Sequence, residues 1–328
     1  MGFLVLTESD VERLLPLAEC VEVMAEALAG LARDELHQPL RMVVRPPDAS
    51  NLMGLMPSYR ALPERAYGLK VVCIFPDNPK RGLDAHQGAV ILFDGETGEV
   101  RALANASAVT AIRTAAVSGL ATKLLARPDA RKLALFGAGV QARWHLAAMA
   151  TVCELERALV WSRTRESARA FADEAGTLYP FPVEAAESAE AALRDADLIV
   201  TATTAREPVV RREWVAEGAH INAVGACFPT TRELDTATVA SASLYVDRRE
   251  SALNEAGDYV IAAQEGAIGP EHIRAELGEL LIGAAEGRTS AQELTVFKSL
   301  GIAVEDLAAV EFLYRRALEV GAGTQVPF

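Results

Sequence analysis

Cysteine is scarce in this 328-residue chain and never closely spaced. Cys20, Cys73, Cys153 and Cys227 form no Cys-x-x-Cys pair, so no compact thiolate metal site is expected and the thiols read as reduced. Histidine is equally sparse: His37, His86, His145, His220 and His272 lack the spacing of metal ligands. Positive charge is in deficit, with 32 Lys and Arg against 45 Asp and Glu and a net charge of −13. Nucleic acid and anionic membrane are therefore not expected as partners, although a local cation cluster can still bind a small anion. The opening Met-Gly-Phe-Leu-Val-Leu has no basic lead, and its apolar run is too short for a signal peptide or a membrane span. Leu6 stands where a myristoylation pattern needs Ser or Thr. The expected location is cytoplasmic, and no internal repeat or low-complexity tract is present.

The length predicts about two domains. Residues 1–36 read as a short strand followed by helices, with Thr7 and Ser9 as candidate N-caps and Glu12 as the capping-box partner of Ser9. Residues 38–106 are strand-rich and broken by Pro46-Pro47, Pro57, Pro63, Pro76 and Pro79. Within them Gln87–Phe93 and Glu99–Leu103 flank Asp94-Gly95-Glu96-Thr97-Gly98, which predicts a hairpin in an antiparallel-type sheet. Ser107–Leu125 is helical in period, and Arg127-Pro128 ends it. Beyond Arg131, strands at Lys132–Phe136, Ala158–Trp161, Leu198–Ala202, Ile221–Val224 and Leu244–Val246 alternate with helical segments. That alternation marks an α/β, doubly wound parallel sheet of the Rossmann type. A last helix, Val304–Val320, carries Leu307, Val310, Leu313, Tyr314 and Leu318 on one face.

The first strand of that alternation runs into Gly-x-Gly-x-x-Ala at Gly137, Gly139 and Ala142. Gly137 supplies the tight turn, Gly139 lets a pyrophosphate approach the backbone, and Ala142 lets the helix lie close on the strand. The helix N-terminus then faces the phosphates, with Ala138, Val140 and Gln141 beside them. The strand before the motif, the helix after it and a second strand at Leu159-Val160-Trp161 supply the context that a dinucleotide site requires. The second strand ends in Ser162-Arg163-Thr164-Arg165 and has no carboxylate before Glu166. An acidic residue there would repel a 2′-phosphate, whereas Arg163 can hold one, so NADP(H) is favoured and NAD(H) stays open.

A second chemical cluster lies outside this half. Arg41 follows Gln38-Pro39-Leu40, Lys70 lies in Gly68-Leu69-Lys70-Val71-Val72, and Arg113 lies in a helical run of Val, Ala and Ile. Charges set in apolar runs are costly to bury alone, so these residues read equally as structural ion pairs or as an anion site. Met53, with Met56 and Phe75, is a candidate for an apolar pocket wall, although such residues serve a core as readily.

Gly68-Leu69-Lys70, Thr110-x-x-Arg113-Thr114-Ala115-Ala116 and Phe136–Ala142 resemble the ornithine cyclodeaminase/mu-crystallin family. So do Asn222-Ala223-Val224-Gly225-Ala226, Arg232-Glu233-Leu234-Asp235, Phe297-Lys298-Ser299-Leu300-Gly301 and Glu305-Asp306-Leu307-Ala308. The resemblance covers essentially the whole chain in order. It implies a Rossmann domain at 128–302 and an α+β substrate-binding and dimerisation domain at 1–127 with 303–328, in a homodimer. It also implies that Arg41, Lys70 and Arg113 hold a substrate carboxylate, with His86-Gln87 near the substrate or the nicotinamide. Thr110 and Thr114 flank the same cleft, while Thr201, Ala202, Thr203, Val224, Gly225 and Ser299 join the cofactor set. His86 alone reads as readily as a loop histidine.

True cyclodeaminases of this family resemble Asn-Ala-Val-Gly-Gly-Asp-Cys-Pro, whose aspartate handles protons at the amino group. The aligned position here is Cys227, and a thiol replaces that carboxylate poorly. The sequence is closer to the ketimine reductase and mu-crystallin branch. The resemblance therefore implies an NAD(P)H-dependent reductase of imine or amino acids. The alternatives are an ornithine cyclodeaminase and a non-catalytic NADP-dependent binding protein.

Overall fold

In the computed structural model, residues 2–47 and 49–328 are described, apart from the side chain of Pro79. Met1, at the start of the expected first domain, and Asp48 lie outside them. The chain opens with β1 (Gly2–Leu6), α1 (Glu8–Leu14), α2 (Leu17–Ala32), β2 (Leu36–His37) and β3 (Met42–Val44). There follow β4 (Leu52–Arg60), β5 (Ala66–Ile74), β6 (His86–Asp94), β7 (Val100–Asn105) and α3 (Ala106–Leu125). The middle holds β8 (Lys132–Phe136), α4 (Val140–Val152), β9 (Arg157–Trp161), α5 (Arg165–Ala175), β10 (Val183–Ala185), α6 (Ala189–Leu193) and β11 (Leu198–Thr201). Next come β12 (His220–Ala223), α7 (Thr236–Ser241), β13 (Ser243–Val246), α8 (Arg249–Glu255), α9 (Gly257–Gln264), β14 (Ile273–Glu276), α10 (Leu277–Leu281) and β15 (Thr295–Lys298). The chain ends in α11 (Ala303–Val320) and β16 (Thr324–Pro327).

These elements form two compact units. One runs to Thr114 and resumes at Gly301–Phe328; the other is Ala115–Leu300. The expected limits at 127/128 and 302/303 followed the proline after α3 and the start of α11. The contacts divide the chain inside α3 instead.

The first unit holds a sheet in the order β16-β1-β7-β6-β5-β4-β2, with β3 also on β4. It is antiparallel except where β1 runs parallel to β7. The expected hairpin is present as β6 and β7. Strict alternation in β4 and β5 turns Leu52, Met56, Ser58, Gly68, Lys70 and Val72 to one face, where α11 packs. Gly68 lets α11 lie close, since a Cβ there would stand 2.9 Å from the Ser58 hydroxyl and 3.0 Å from Leu307 on α11. Thr7 caps α1, accepting the Asp10 N–H at 3.3 Å while Asp10 accepts the Thr7 N–H at 3.1 Å. The helix starts one residue before the expected Ser9 cap could act, so Asp10 takes the place predicted for Glu12. In α11 the inward stripe is Leu307, Val310, Leu313 and Ala317, which leaves the predicted Leu318 exposed.

The second unit holds a wholly parallel sheet in the order β10-β9-β8-β11-β12-β15-β13-β14. Its central strands β11 and β12 are buried along their length, as strands covered on both faces are, and β12 takes the polar His220 and Asn222 into the interior. Three strands had no clear signal in the sequence. β10 has only three residues, β14 carries Arg274 and Glu276, and β15 is four residues inside a loop-like stretch. The winding reverses between β8 and β11, which places a ligand crevice at their carboxyl ends. Helix α3 is long and apolar enough by composition to cross a membrane, but most of it is buried inside the protein.

Candidate active site

In the first unit, Lys70 lies between Met56 of β4 and Val90 of β6 on the inward face of the sheet. It is 4% exposed, and its ammonium donates to both Asp306 oxygens at 3.2 and 3.3 Å. Arg113, on α3 and equally buried, donates from Nε to Asp306 at 2.9 Å and from Nη1 to Glu305 at 2.7 Å. Both carboxylates sit in the first turn of α11, where the helix dipole favours negative charge. That turn is held from several sides. Gln38 accepts the Val304 N–H at 2.9 Å, Ser58 donates to the Ala303 carbonyl at 3.2 Å, and Glu305 accepts the Ile302 N–H at 3.3 Å. Arg41 donates to the Gly301 carbonyl at 3.1 Å. Gly301 has φ +68°, and a Cβ there would run into the Arg113 guanidinium.

Burial brings the Lys70 pKa down from 10.5 to about 8; Asp306 opposes this, and the positive charges of Arg113 and Arg41 add to it. Lys70 and Arg113 are thus buried cations paired with Asp306 and Glu305, and it is chiefly loss of water that weakens the hold of Lys70 on its proton. His86 begins β6 on the same face of the sheet as Lys70. Part of the residue reaches solvent. Desolvation by its surroundings still lowers the imidazole pKa, with Lys70 adding to the shift and Asp84 opposing it. Thr110 and Thr114 lie on α3 within one turn of Arg113. Met53 is not brought to this cluster. It sits one position out of phase with Lys70's neighbours, on the outward face of β4, and it is Met56 that pairs with Lys70.

In the second unit, the predicted cofactor residues collect at the carboxyl edge of the parallel sheet. Gly137–Gln141 follow β8, Ser162–Thr164 follow β9, Ala202-Thr203 follow Thr201 at the end of β11, Val224-Gly225 follow β12, and Ser299 follows β15. Gly137 has φ +113°, and a Cβ there would meet the Ala202 carbonyl. Gly139 is the N-cap of α4 and caps it with no side-chain hydrogen bond. A Cβ at Gly139 would meet nothing within 4 Å. The turn thus offers open space at a helix N-terminus that its N-cap residue leaves without a side chain, a fit for a pyrophosphate. Ala142 is fully buried behind it. Buried His145 accepts from the Ser118 hydroxyl at 3.0 Å and donates to the Gln141 carbonyl at 2.7 Å, bracing the first turn of α4. Burial lowers its pKa to about 4, so it is neutral there. Arg163 is exposed, and no ion pair engages it among the described residues. Cys227 is half-buried and its thiol donates to the Val224 carbonyl at 3.2 Å.

Four buried carboxylates and one lysine in these networks had no assigned role in the sequence. Glu305 and Asp306 lie 192 and 193 residues from Arg113. Glu233, Asp258 and Lys298 form a second network beneath the loops after β11 and β12. The available signal was that Glu305-Asp306, Glu233 and Lys298 fall inside runs of family resemblance.

A doubly wound sheet with a Gly-x-Gly turn, joined in one chain to a buried lysine–arginine cluster, defines an oxidoreductase that uses a nicotinamide dinucleotide. The chain belongs to the ornithine cyclodeaminase/mu-crystallin family, whose model matches residues 2–321. It is 38% identical to a Δ1-pyrroline-2-carboxylate reductase of Bacillus cereus over 326 residues, covering 99% of this chain and all of that one. It is 41% identical to mouse ketimine reductase mu-crystallin over 277 residues, 84% of each chain. Among solved structures, it resembles the Thermococcus litoralis Δ1-pyrroline-2-carboxylate reductase in complex with NADH and L-proline. The TM-score is 0.96 at 40% identity, over 99% of this chain and all of that one.

Proposed function

We propose that this protein reduces imine carboxylates, delivering hydride from NAD(P)H to the carbon of a C=N bond. The substrates are cyclic ketimines such as Δ1-pyrroline-2-carboxylate and Δ1-piperideine-2-carboxylate. The observation that carries this reading is the pair of buried cations Lys70 and Arg113, held in place by Asp306 and Glu305, in a chain that also holds the Gly137–Gly139 turn. The names of the relatives support the same class of substrate.

Gly137–Gln141 would hold the pyrophosphate, and Thr201–Thr203, Val224, Gly225 and Ser299 would line the rest of the dinucleotide. When bound, the dinucleotide supplies the hydride. Lys70 and Arg113 fix the substrate carboxylate by charge-assisted hydrogen bonds, with Arg41 adding positive charge, and so orient the imine. Lys70 Nζ, with its pKa near 8, is a better proton donor to the imine nitrogen than an ordinary lysine. His86, whose imidazole pKa is lowered by desolvation and by Lys70, stands at the start of β6 as a second group able to exchange a proton with the substrate.

NADP(H) is the preferred form in this reading, because Arg163 is exposed and no ion pair engages it among the described residues. Arg163→Ala is expected to raise the KM for NADPH by roughly tenfold, the value of one charge-assisted contact, and to leave that for NADH within about twofold. Equal changes for both would remove the 2′-phosphate role.

The protein also acts as a homodimer in this reading. The outward face of its antiparallel sheet carries Leu55, Leu69, Val71, Ile91 and Phe93, none of them fully buried. Met53 and Tyr67 on the same face, and the whole of β3, are exposed. So large an apolar face calls for a second copy. Light scattering is expected to give twice the 35.0 kDa chain mass, and a 35.0 kDa particle at micromolar concentration would rule the dimer out.

The test of function is a panel of cyclic ketimines and 2-oxo acid–amine pairs, run with NADPH and NADH separately. Oxidation of the dinucleotide with formation of the cyclic amino acid is expected. Ammonia and proline from ornithine without net dinucleotide turnover would mean a cyclodeaminase. Dinucleotide binding with no turnover across the panel would mean a binding protein.

A further inference from the structure

We infer that Glu233, a residue outside the dinucleotide contacts themselves, is a positioning residue that clamps the two loops forming the far wall of the dinucleotide crevice. The inference rests on the reading that the carboxyl edge of the parallel sheet binds a dinucleotide.

Glu233 is fully buried, and its two oxygens divide their bonds between two loops. Oε1 accepts the Thr203 N–H and the Thr203 hydroxyl, each at 2.7 Å. Oε2 accepts the Thr201 hydroxyl at 2.7 Å and the Gly225 N–H at 2.7 Å. One carboxylate thus ties the end of β11 to the turn after β12. The first of these loops abuts the glycine turn, since the Ala202 carbonyl occupies the space a Gly137 Cβ would need. The second is equally tight, because a Gly225 Cβ would meet the Thr203 carbonyl and lie 2.5 Å from Glu233 Oε1. A displacement of the carboxylate therefore moves both loops.

The carboxylate is itself held in place. Asp258 on α9 accepts the N–H groups of Glu233 and Leu234 at 2.7 and 2.9 Å. The other oxygen of Asp258 pairs with buried Lys298 at 3.0 Å, and Cys227 adds to the field at that lysine. Burial raises the pKa of Glu233, and Lys298 and the two threonines counter this while Asp258 adds to it. Burying a carboxylate is expensive unless its lone pairs are filled, and four donors fill them here.

The chemistry of glutamine makes a sharp test. In Glu233→Gln the volume is unchanged, but whichever way the amide turns, its NH2 group faces a backbone N–H, from Thr203 or from Gly225. One loop must lose its anchor. The full-length protein is titrated with NADPH and with NADH by fluorescence, and its hydrogen exchange and thermal unfolding are measured in parallel. Glu233→Gln is expected to weaken both dinucleotides by roughly tenfold, and to speed exchange at the amides of Thr203 and Gly225 selectively. Thr201→Val with Thr203→Val leaves both backbone donors in place but removes hydroxyls that also line the dinucleotide, so it is read on the other loop too. About threefold weaker binding is expected, together with faster exchange at the Gly225 amide. This double variant stands as the test if Glu233→Gln fails to fold. A lower Tm with unchanged affinity in the folded protein would make Glu233 merely structural and overturn the clamp. So would unchanged affinity in the threonine double variant. Failure of the wild-type protein to bind either dinucleotide would instead overturn the functional reading.

Discussion

Lys70→Met is expected to lower kcat/KM for an imine carboxylate by roughly 100-fold or more, while dinucleotide affinity stays within about twofold of the wild type. The estimate is the loss of a buried charge-assisted hydrogen bond to the substrate, about 1.5–3 kcal/mol, plus removal of the nearest cationic charge. Methionine keeps the volume and the apolar contacts with Met56 and Val90. Asp306 keeps its 2.9 Å bond from Arg113, so the variant leaves no buried carboxylate unpaired. The pH profile is a second readout of the same residue. Burial sets the Lys70 pKa near 8, so the ammonium is lost as pH rises through that value. kcat/KM is therefore expected to fall about tenfold per pH unit above pH 8. Lys70→Arg, which stays charged, is expected to lack that descent even where it turns over more slowly. A wild-type profile flat to pH 10 would remove Lys70 from carboxylate binding.

The same depressed pKa has a consequence for stability. The folded value lies below the ordinary 10.5, so the unfolded chain binds more protons between about pH 8 and 10.5. The cost of burying the ammonium is fully present below pH 8 and is relieved as pH rises across that window.

Asp306→Asn is expected to be among the most destabilising single polar substitutions in the chain, at about 3–5 kcal/mol. Asp306 is bonded to both Lys70 and Arg113, and it is 1% exposed. Without it the Lys70 ammonium keeps no ion-pair partner among the described residues, while Arg113 retains Glu305 at 2.7 Å. Thermal unfolding is expected to drop by on the order of 10 °C. The double variant Lys70→Met/Asp306→Asn is expected to recover much of the loss, because the stranded charge is gone. A single variant within 1 kcal/mol of the wild type, or a double variant no more stable than the single, would show that the network is not what holds the start of α11.

How much of this was legible in the sequence follows from range. The Gly137–Ala142 turn carries its own geometry: the glycine, the open N-cap and the small residue under the helix all lie within six positions. The alternation of β4 and β5 likewise shows which face is buried, because period two is a local property. Lys70 and Arg113 could be recognised as charges in costly places, but not whether another residue balanced them. Asp306 is 236 residues from Lys70 and had no local mark as its partner. Met53 was misplaced for a related reason. With both faces of β4 apolar, composition does not say which methionine lies beside the lysine; only the register does. Glu233 looked like one more acidic residue until its four donors from two loops were in view.

By itself, the sequence determined the α/β class, the dinucleotide turn and the presence of cations in apolar runs, since each depends on backbone preference and periodicity over a few residues. Tertiary structure alone decided the rest: which carboxylates answer Lys70 and Arg113, which face Met53 takes, and what ties the loops after β11 and β12 together. Electrostatic partnership in a buried site depends on distance in space and on exclusion of water, and neither is set until the chain has folded.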